Sequence, residues 1–149
     1  MANSIFKSCL ILFSICFSQM IYAQHNPVSW EGNSKQLLDG TYEIQVTATI
    51  QSGWYVYAQE LESDMGPVPT SLEFENVEII GKAVESGNRK EGMDKAFGMN
   101  VVKFLDNVTF TQKIVAPKSS KDIKCIVTYM TCNGEMCLPP KDVEVIIAL

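Results

Sequence analysis

Tyr42, Ile44, Val46, Ala48 and Ile50 alternate with Glu43, Gln45, Thr47 and Thr49, a period of two that gathers the apolar side chains on one face of an extended strand. Ser52 and Gly53 follow as turn residues, and Trp54 to Ala58 reads as a second strand. Leu72 and Phe74 alternate with Glu73 and Glu75, and Val77, Ile79 and Ile80 come after Asn76. Val101 to Leu105, Val108 to Val115, Ile123 to Thr131 and Val143 to Leu149 continue the series. No segment sustains a helical period. Seven or eight short strands separated by turn residues predict an all-β fold, an immunoglobulin-like β-sandwich.

Two stretches do not read as strand. Gln59 to Pro69 holds Asp64, Gly66, Pro67 and Pro69, which interrupt ladders and suit a loop. Gly81 to Asn100 spreads Gly81, Gly87, Gly92 and Gly98 among Lys82, Glu85, Arg89, Lys90, Glu91, Asp94 and Lys95, the composition of a solvated connection. A loop of that length in a compact domain is expected to be mobile or functional. Met93, Ala96, Phe97 and Met99 near its end are apolar and need something to cover.

The first 23 residues have the pattern of an export signal: Lys7, an almost unbroken apolar run from Cys9 to Ile21, and Ala23 before Gln24 at a cleavage point. Residues 1–23 are therefore expected to be a signal peptide and residues 24–149 one exported domain. The run is short for a membrane span, and no later stretch approaches the roughly 18 apolar residues a spanning helix needs. An unanchored domain with no stable membrane insertion is the expectation. All 17 acidic residues lie beyond the leader and only Lys7 is lost with it, so the mature domain is one charge more negative than the −5 of the whole chain. That balance excludes a nucleic-acid binder of the usual kind, which clusters Lys and Arg against phosphates.

Cys9 and Cys16 leave with the leader, and Cys125, Cys132 and Cys137 remain for an oxidising compartment. The chemistry concentrates between Tyr129 and Pro140. Asn133 and Gly134 tolerate positive φ, so the chain arriving from Ile123 is expected to reverse there and return toward Val143, forming a hairpin near the C-terminus. Such a reversal can bring Cys132 and Cys137 within disulfide reach. The closed loop would hold six residues, for which chain entropy supplies about 2 kcal/mol. A structural staple and a redox pair both remain open on these grounds.

Other chemistries fit poorly. Two thiolates would need two more ligands for zinc, and only Cys125 and His25 could help, so no metal and no cofactor is expected. Cys125 falls in an apolar strand and reads as a buried, inert thiol. His25, the one histidine, follows the cleavage point closely, which leaves hydrolase triads without a positioned base. Glu60 and Glu62 read as solvated charge.

Three motifs together carry a resemblance. Cys132 to Pro140, a cysteine pair closed by Cys-Leu-Pro-Pro, resembles the active-site hairpin of the N-terminal periplasmic domain of the thiol:disulfide interchange proteins of the DsbD family. Gly53-Trp-Tyr55-Val-Tyr57 is similar to the family's aromatic strand, and Asp94-Lys-Ala-Phe97-Gly98 resembles its cap loop. The cysteines here enclose four residues, where the best-known family pattern has five, and Ala96 and Phe97 stand where the family has two aromatics.

The resemblance implies an immunoglobulin-like domain that passes reducing equivalents from a membrane thiol-transport protein or a thioredoxin-like donor to oxidised periplasmic proteins. It implies that Cys137 forms the mixed disulfide, Cys132 resolves it, Phe97 caps the pair, and Tyr55, Tyr57 and Asp94 flank it. With the chain ending at Leu149, the donor is expected to be a separate protein. The alternative is a non-catalytic secreted sandwich that binds a partner through exposed Trp54, Tyr55 and Tyr57, with the disulfide fixing a hairpin.

Overall fold

The alternation at Tyr42 becomes β2 (Tyr42–Ile50), and its Ile44, Val46, Ala48 and Ile50 are buried. The computed structural model describes residues 26–63 and 65–149; the expected signal peptide, His25 and Asp64 lie outside the described residues. Among these are eight further strands and no helix: β1 (Val28–Gln36), β3 (Tyr55–Tyr57), β4 (Ser71–Phe74), β5 (Glu78–Asp94), β6 (Met99–Val115), β7 (Asp122–Tyr129), β8 (Thr131–Cys132) and β9 (Lys141–Ala148). The first sheet runs β1-β2-β6-β3-β8, with β5 along the other edge of β6, and the second runs β4-β7-β9. All pairings are antiparallel. The result is the immunoglobulin-like β-sandwich the periodicity predicts.

The main core lies between the sheets. Ile44, Val46, Val56, Phe104, Val108, Phe110 and Ile114 of the first sheet meet Ile123, Val127, Tyr129, Val145 and Ile147 of the second. Trp30 of β1 joins them, its ring 5.2 Å from Tyr129 and 6.0 Å from Phe110. Cys125 is fully buried in this core, and burial pushes its thiol up to about 12. That environment makes it unreactive, as expected from its strand.

Three strand expectations need correction. Gly81 to Asn100 is not a loop: residues up to Asp94 form the second part of β5, paired to β6 as far as Asp94↔Met99. β5 pairs only with β6 among the described strands and is exposed over most of its length. It therefore has no buried face to impose alternation on its sequence, and its charges guard a sheet edge. Gly87 marks a β-bulge, since a Cβ there would meet the Asn107 carbonyl and Val108 Cα. The two apolar runs at Val101 and Val108 are one strand, β6, carrying that bulge at Asp106 and Asn107, with Asp106 at φ 61°. β1 was not legible as a strand, because Gly32 and Ser34 share the inner face with Val28 and Trp30 and leave it only two apolar residues.

Candidate functional site

The cysteine segment reaches its place by changing sheets. β7 belongs to the second sheet; after Met130 the chain crosses to the first, where β8 pairs Thr131 with Val56 and Cys132 with Tyr55. The Thr131 hydroxyl donates to the Tyr55 carbonyl at 2.8 Å and pins the crossing. Beyond it the chain reverses as the Asn-Gly pair predicts. Asn133 Oδ1 accepts the N–H groups of Glu135 and Met136 at 3.0 and 2.9 Å, and Gly134 sits at φ 88°.

Cys132 and Cys137 face each other across this hairpin as a β-bridge. The flanking bonds, Asn133 N to Met136 O and Leu138 N to Thr131 O, leave the cysteines at a non-hydrogen-bonded position, where side chains lie closest. They form a disulfide, with a Cα separation of 4.1 Å and an S–S distance of 2.04 Å. The two ends differ in access: Cys132 is fully buried, while Cys137 is half-buried at the rim.

Strand alternation then assembles the rest. Val56 points into the main core, so Tyr55 and Tyr57 point to the opposite face of the first sheet, with Val101 and Cys132. There they form a second apolar cluster, against which Leu61, Phe97, Met99, Leu105, Met130 and Cys137 pack. The Trp54, Tyr55 and Tyr57 side chains are all buried, so the exposed aromatic surface required by the binding-module alternative does not exist.

Asp94 ends β5 on this same face and is 1% exposed. Its Oδ2 accepts the Tyr55 and Tyr57 hydroxyls at 3.0 and 3.1 Å, and the Tyr57 hydroxyl also lies 3.1 Å from Cys132 Sγ. Asp94 Oδ1 accepts the Ala96 N–H at 2.9 Å, and the Asp94 carbonyl accepts the Gly98 N–H at 2.8 Å. These two bonds close the turn between β5 and β6, with Gly98 at φ 66°. Phe97, in that turn, packs edge-on against Tyr57 with ring centroids 6.2 Å apart. All six residues singled out from the sequence therefore meet at one place: Cys132, Cys137, Phe97, Tyr55, Tyr57 and Asp94.

Lys103 was missed. It pairs with Tyr57 across β3 and β6, its Nζ lies 3.7 Å from Asp94 Oδ2 and 4.0 Å from the Tyr55 ring centroid. The available signal was a single cation inside the apolar run Val101-Val102-Lys103-Phe104-Leu105. Burial pushes the Asp94 carboxyl up, but hydrogen bonds from Tyr55, Ala96 and Tyr57 and the Lys103 charge outweigh it and hold the group below the usual carboxylate range. Burial, then the hydrogen bond to and negative charge of Asp94, raise the Tyr55 phenol. Burial first, then the neighbouring Tyr55 and the charge and hydrogen bond of Asp94, raise the Tyr57 phenol, and both phenols stay protonated as donors.

Residues 30–148 match the family described as Thiol:disulfide interchange protein DsbD, N-terminal. The chain belongs to that family. As a DsbD N-terminal domain it is a thiol-disulfide interchange module, and the described bridge supplies the disulfide. Three solved structures share its fold. The DsbD N-terminal domain of Neisseria meningitidis in the reduced form is 20% identical, with a TM-score of 0.53 over 72% of this chain and 77% of that one. The N-terminal periplasmic domain of ScsB from Proteus mirabilis is 14% identical, with a TM-score of 0.64 over 87% of this chain and 49% of that one. A complex between the DsbD and PilB N-terminal domains of Neisseria meningitidis gives 16% identity and a TM-score of 0.50, covering 85% and 86%. No curated protein matches the chain in sequence.

Proposed function

We propose that this DsbD N-terminal domain works in the periplasm, taking reducing equivalents from a membrane or thioredoxin-like donor and passing them to oxidised envelope proteins through Cys132 and Cys137. The observation that carries this reading is the unequal access of the two sulfurs: Cys137 half-buried at the rim, Cys132 buried against Tyr57. A donor thiolate attacks Cys137 Sγ, the Cys132–Cys137 bond breaks, and its electron pair leaves on Cys132 as a thiolate facing the Tyr57 hydroxyl. The donor's second thiolate then attacks the donor sulfur of the mixed disulfide, expelling Cys137 as a thiolate. Two electrons reach the pair, and the donor leaves oxidised. Against an oxidised acceptor the steps reverse: Cys137 attacks and Cys132 resolves. Support for a protein partner of this class comes from the complex between the DsbD and PilB N-terminal domains.

In this scheme Phe97 is the cap. It stands over Tyr57 on a turn held by Asp94, and a docking partner displaces it. Phe97→Ala is expected to accelerate reduction of the bridge by dithiothreitol several-fold without moving the urea midpoint appreciably, because Phe97 lies at the rim and not in the main core. Equal rates for variant and wild type would remove the cap role.

The reading itself is tested by equilibrating the purified protein in glutathione or dithiothreitol buffers and trapping free thiols. An exchange site is expected to have a reduction potential above about −300 mV, where structural bridges of secreted proteins lie below. A bridge that stays oxidised through that range would leave the disulfide as a staple and withdraw the function.

A further inference from the structure

Two negative charges meet in this site when the disulfide opens. Asp94 is buried and ionised, and one hydroxyl, that of Tyr57, lies 3.1 Å from its Oδ2 and 3.1 Å from Cys132 Sγ. When the bridge is attacked at Cys137, the electron pair departs on Cys132. A buried thiolate then forms on the far side of that hydroxyl from a buried carboxylate. Like charges at such spacing, away from water, oppose each other strongly.

Lys103 is placed to answer this. Its Nζ lies 3.7 Å from Asp94 Oδ2, its side chain is 21% exposed, and its ammonium is held over the Tyr55 ring. The groups facing the carboxylate are the Tyr55 and Tyr57 hydroxyls from β3, the Ala96 N–H from the turn and Lys103 from β6. Three of these are dipoles; Lys103 alone among them brings a full charge. Lys90 is opposite Lys103 on β5, but it is exposed and no ion pair joins it to Asp94.

We propose that Lys103 is a positioning residue of the exchange reaction, a fixed cation that offsets Asp94 so that Cys132 can leave as a thiolate while Asp94 stays ionised. The inference rests on the exchange reading above and adds to it a residue outside the cysteine hairpin, the tyrosine strand and the cap. Tyr57 can then turn its one proton from the carboxylate to the new thiolate without leaving a buried anion uncompensated. No atom of Lys103 reacts; it acts through Asp94.

The test is the rate of reduction of the bridge by dithiothreitol in the full mature protein, followed by alkylation and mass analysis from pH 5 to 9. Each variant is compared with wild type at the same pH, so that ionisation of the reductant cancels. Lys103→Met is expected to slow reduction at least about tenfold at pH 8. The defect should persist from pH 9 to 5, because Asp94 stays ionised throughout that range. Lys103→Arg should stay within about threefold of wild type. In an Asp94→Asn background, Lys103→Met should change the rate less than twofold, because the charge it offsets is gone. A structural role for Lys103 would predict a defect undiminished by Asp94→Asn, and that result would overturn the proposal. So would a Lys103→Met rate equal to wild type throughout, with the exchange reading left standing. If the wild-type bridge itself resists dithiothreitol, the exchange reading fails and this inference with it.

Discussion

Cys132→Ser protein, expressed as the full 149-residue chain and recovered from an envelope extract with thiols trapped, is expected to run on a non-reducing gel as a covalent adduct with a second protein. In the proposed scheme the substitution removes the resolving sulfur and leaves Cys137 at the rim, where a partner's disulfide can be attacked but the mixed disulfide cannot be cleared from within. It should also leave the domain folded. The six-residue loop supplies about 2 kcal/mol by chain entropy, and the Tyr57 hydroxyl, 3.1 Å from Cys132 Sγ, offers the new serine hydroxyl a hydrogen-bond partner. The main core between the sheets contains neither cysteine of the bridge.

The reciprocal variant distinguishes the two sulfurs. Cys137→Ser leaves only Cys132, which is fully buried, and should capture at least about tenfold less partner. Cys125→Ala removes a thiol enclosed in the main core and should leave the adduct unchanged. Equal capture by Cys132→Ser and Cys137→Ser would reverse or abolish the assignment of attacking and resolving roles. Absence of any adduct from either, with both proteins folded, would remove the physiological exchange partner from the scheme.

Much of this site could be read from the chain because its residues carry unusual chemistry at short spacing. The pair Cys132 and Cys137 brackets an Asn-Gly turn, and period-two alternation in Trp54 to Ala58 separates Val56 from the two tyrosines. What alternation cannot report is a strand without a buried face. β5 is such a strand, and its glycines and charges, which look like loop chemistry, are a bulge and an edge. The misreading had a consequence for the site: Phe97 lies at the tip of a long hairpin anchored to β6, not in a free loop. Lys103 was illegible for a different reason. Its role depends on Asp94, nine residues earlier on the neighbouring strand, and on Tyr57, and no pattern within β6 announces that register.

Asp94→Ala is expected to lower stability by about 3 kcal/mol, the largest loss of any single change at the site outside the cysteines, read as a lower urea midpoint. Asp94 is buried and serves four partners at once: the Tyr55 and Tyr57 hydroxyls, the Ala96 N–H and Lys103. Its removal leaves buried donors and a partly buried ammonium without an acceptor, a cost of about 3–5 kcal/mol where relaxation is limited. Tyr57 retains Cys132 Sγ as a partner and Lys103 retains the Tyr55 ring, so the lower end applies. The sign of the pH dependence follows from the depressed carboxyl. Its contribution is fully present above the unfolded carboxylate pKa of about 3.9 and is lost as pH falls through the lower folded value. The midpoint gap between wild type and Asp94→Ala should therefore be flat from pH 8 down to about 5, then narrow below about pH 4. A gap that widened on acidification would mean that Asp94 is held protonated in the fold, and the network would then have to be drawn with the carboxyl as a donor to Tyr57 and not as its acceptor.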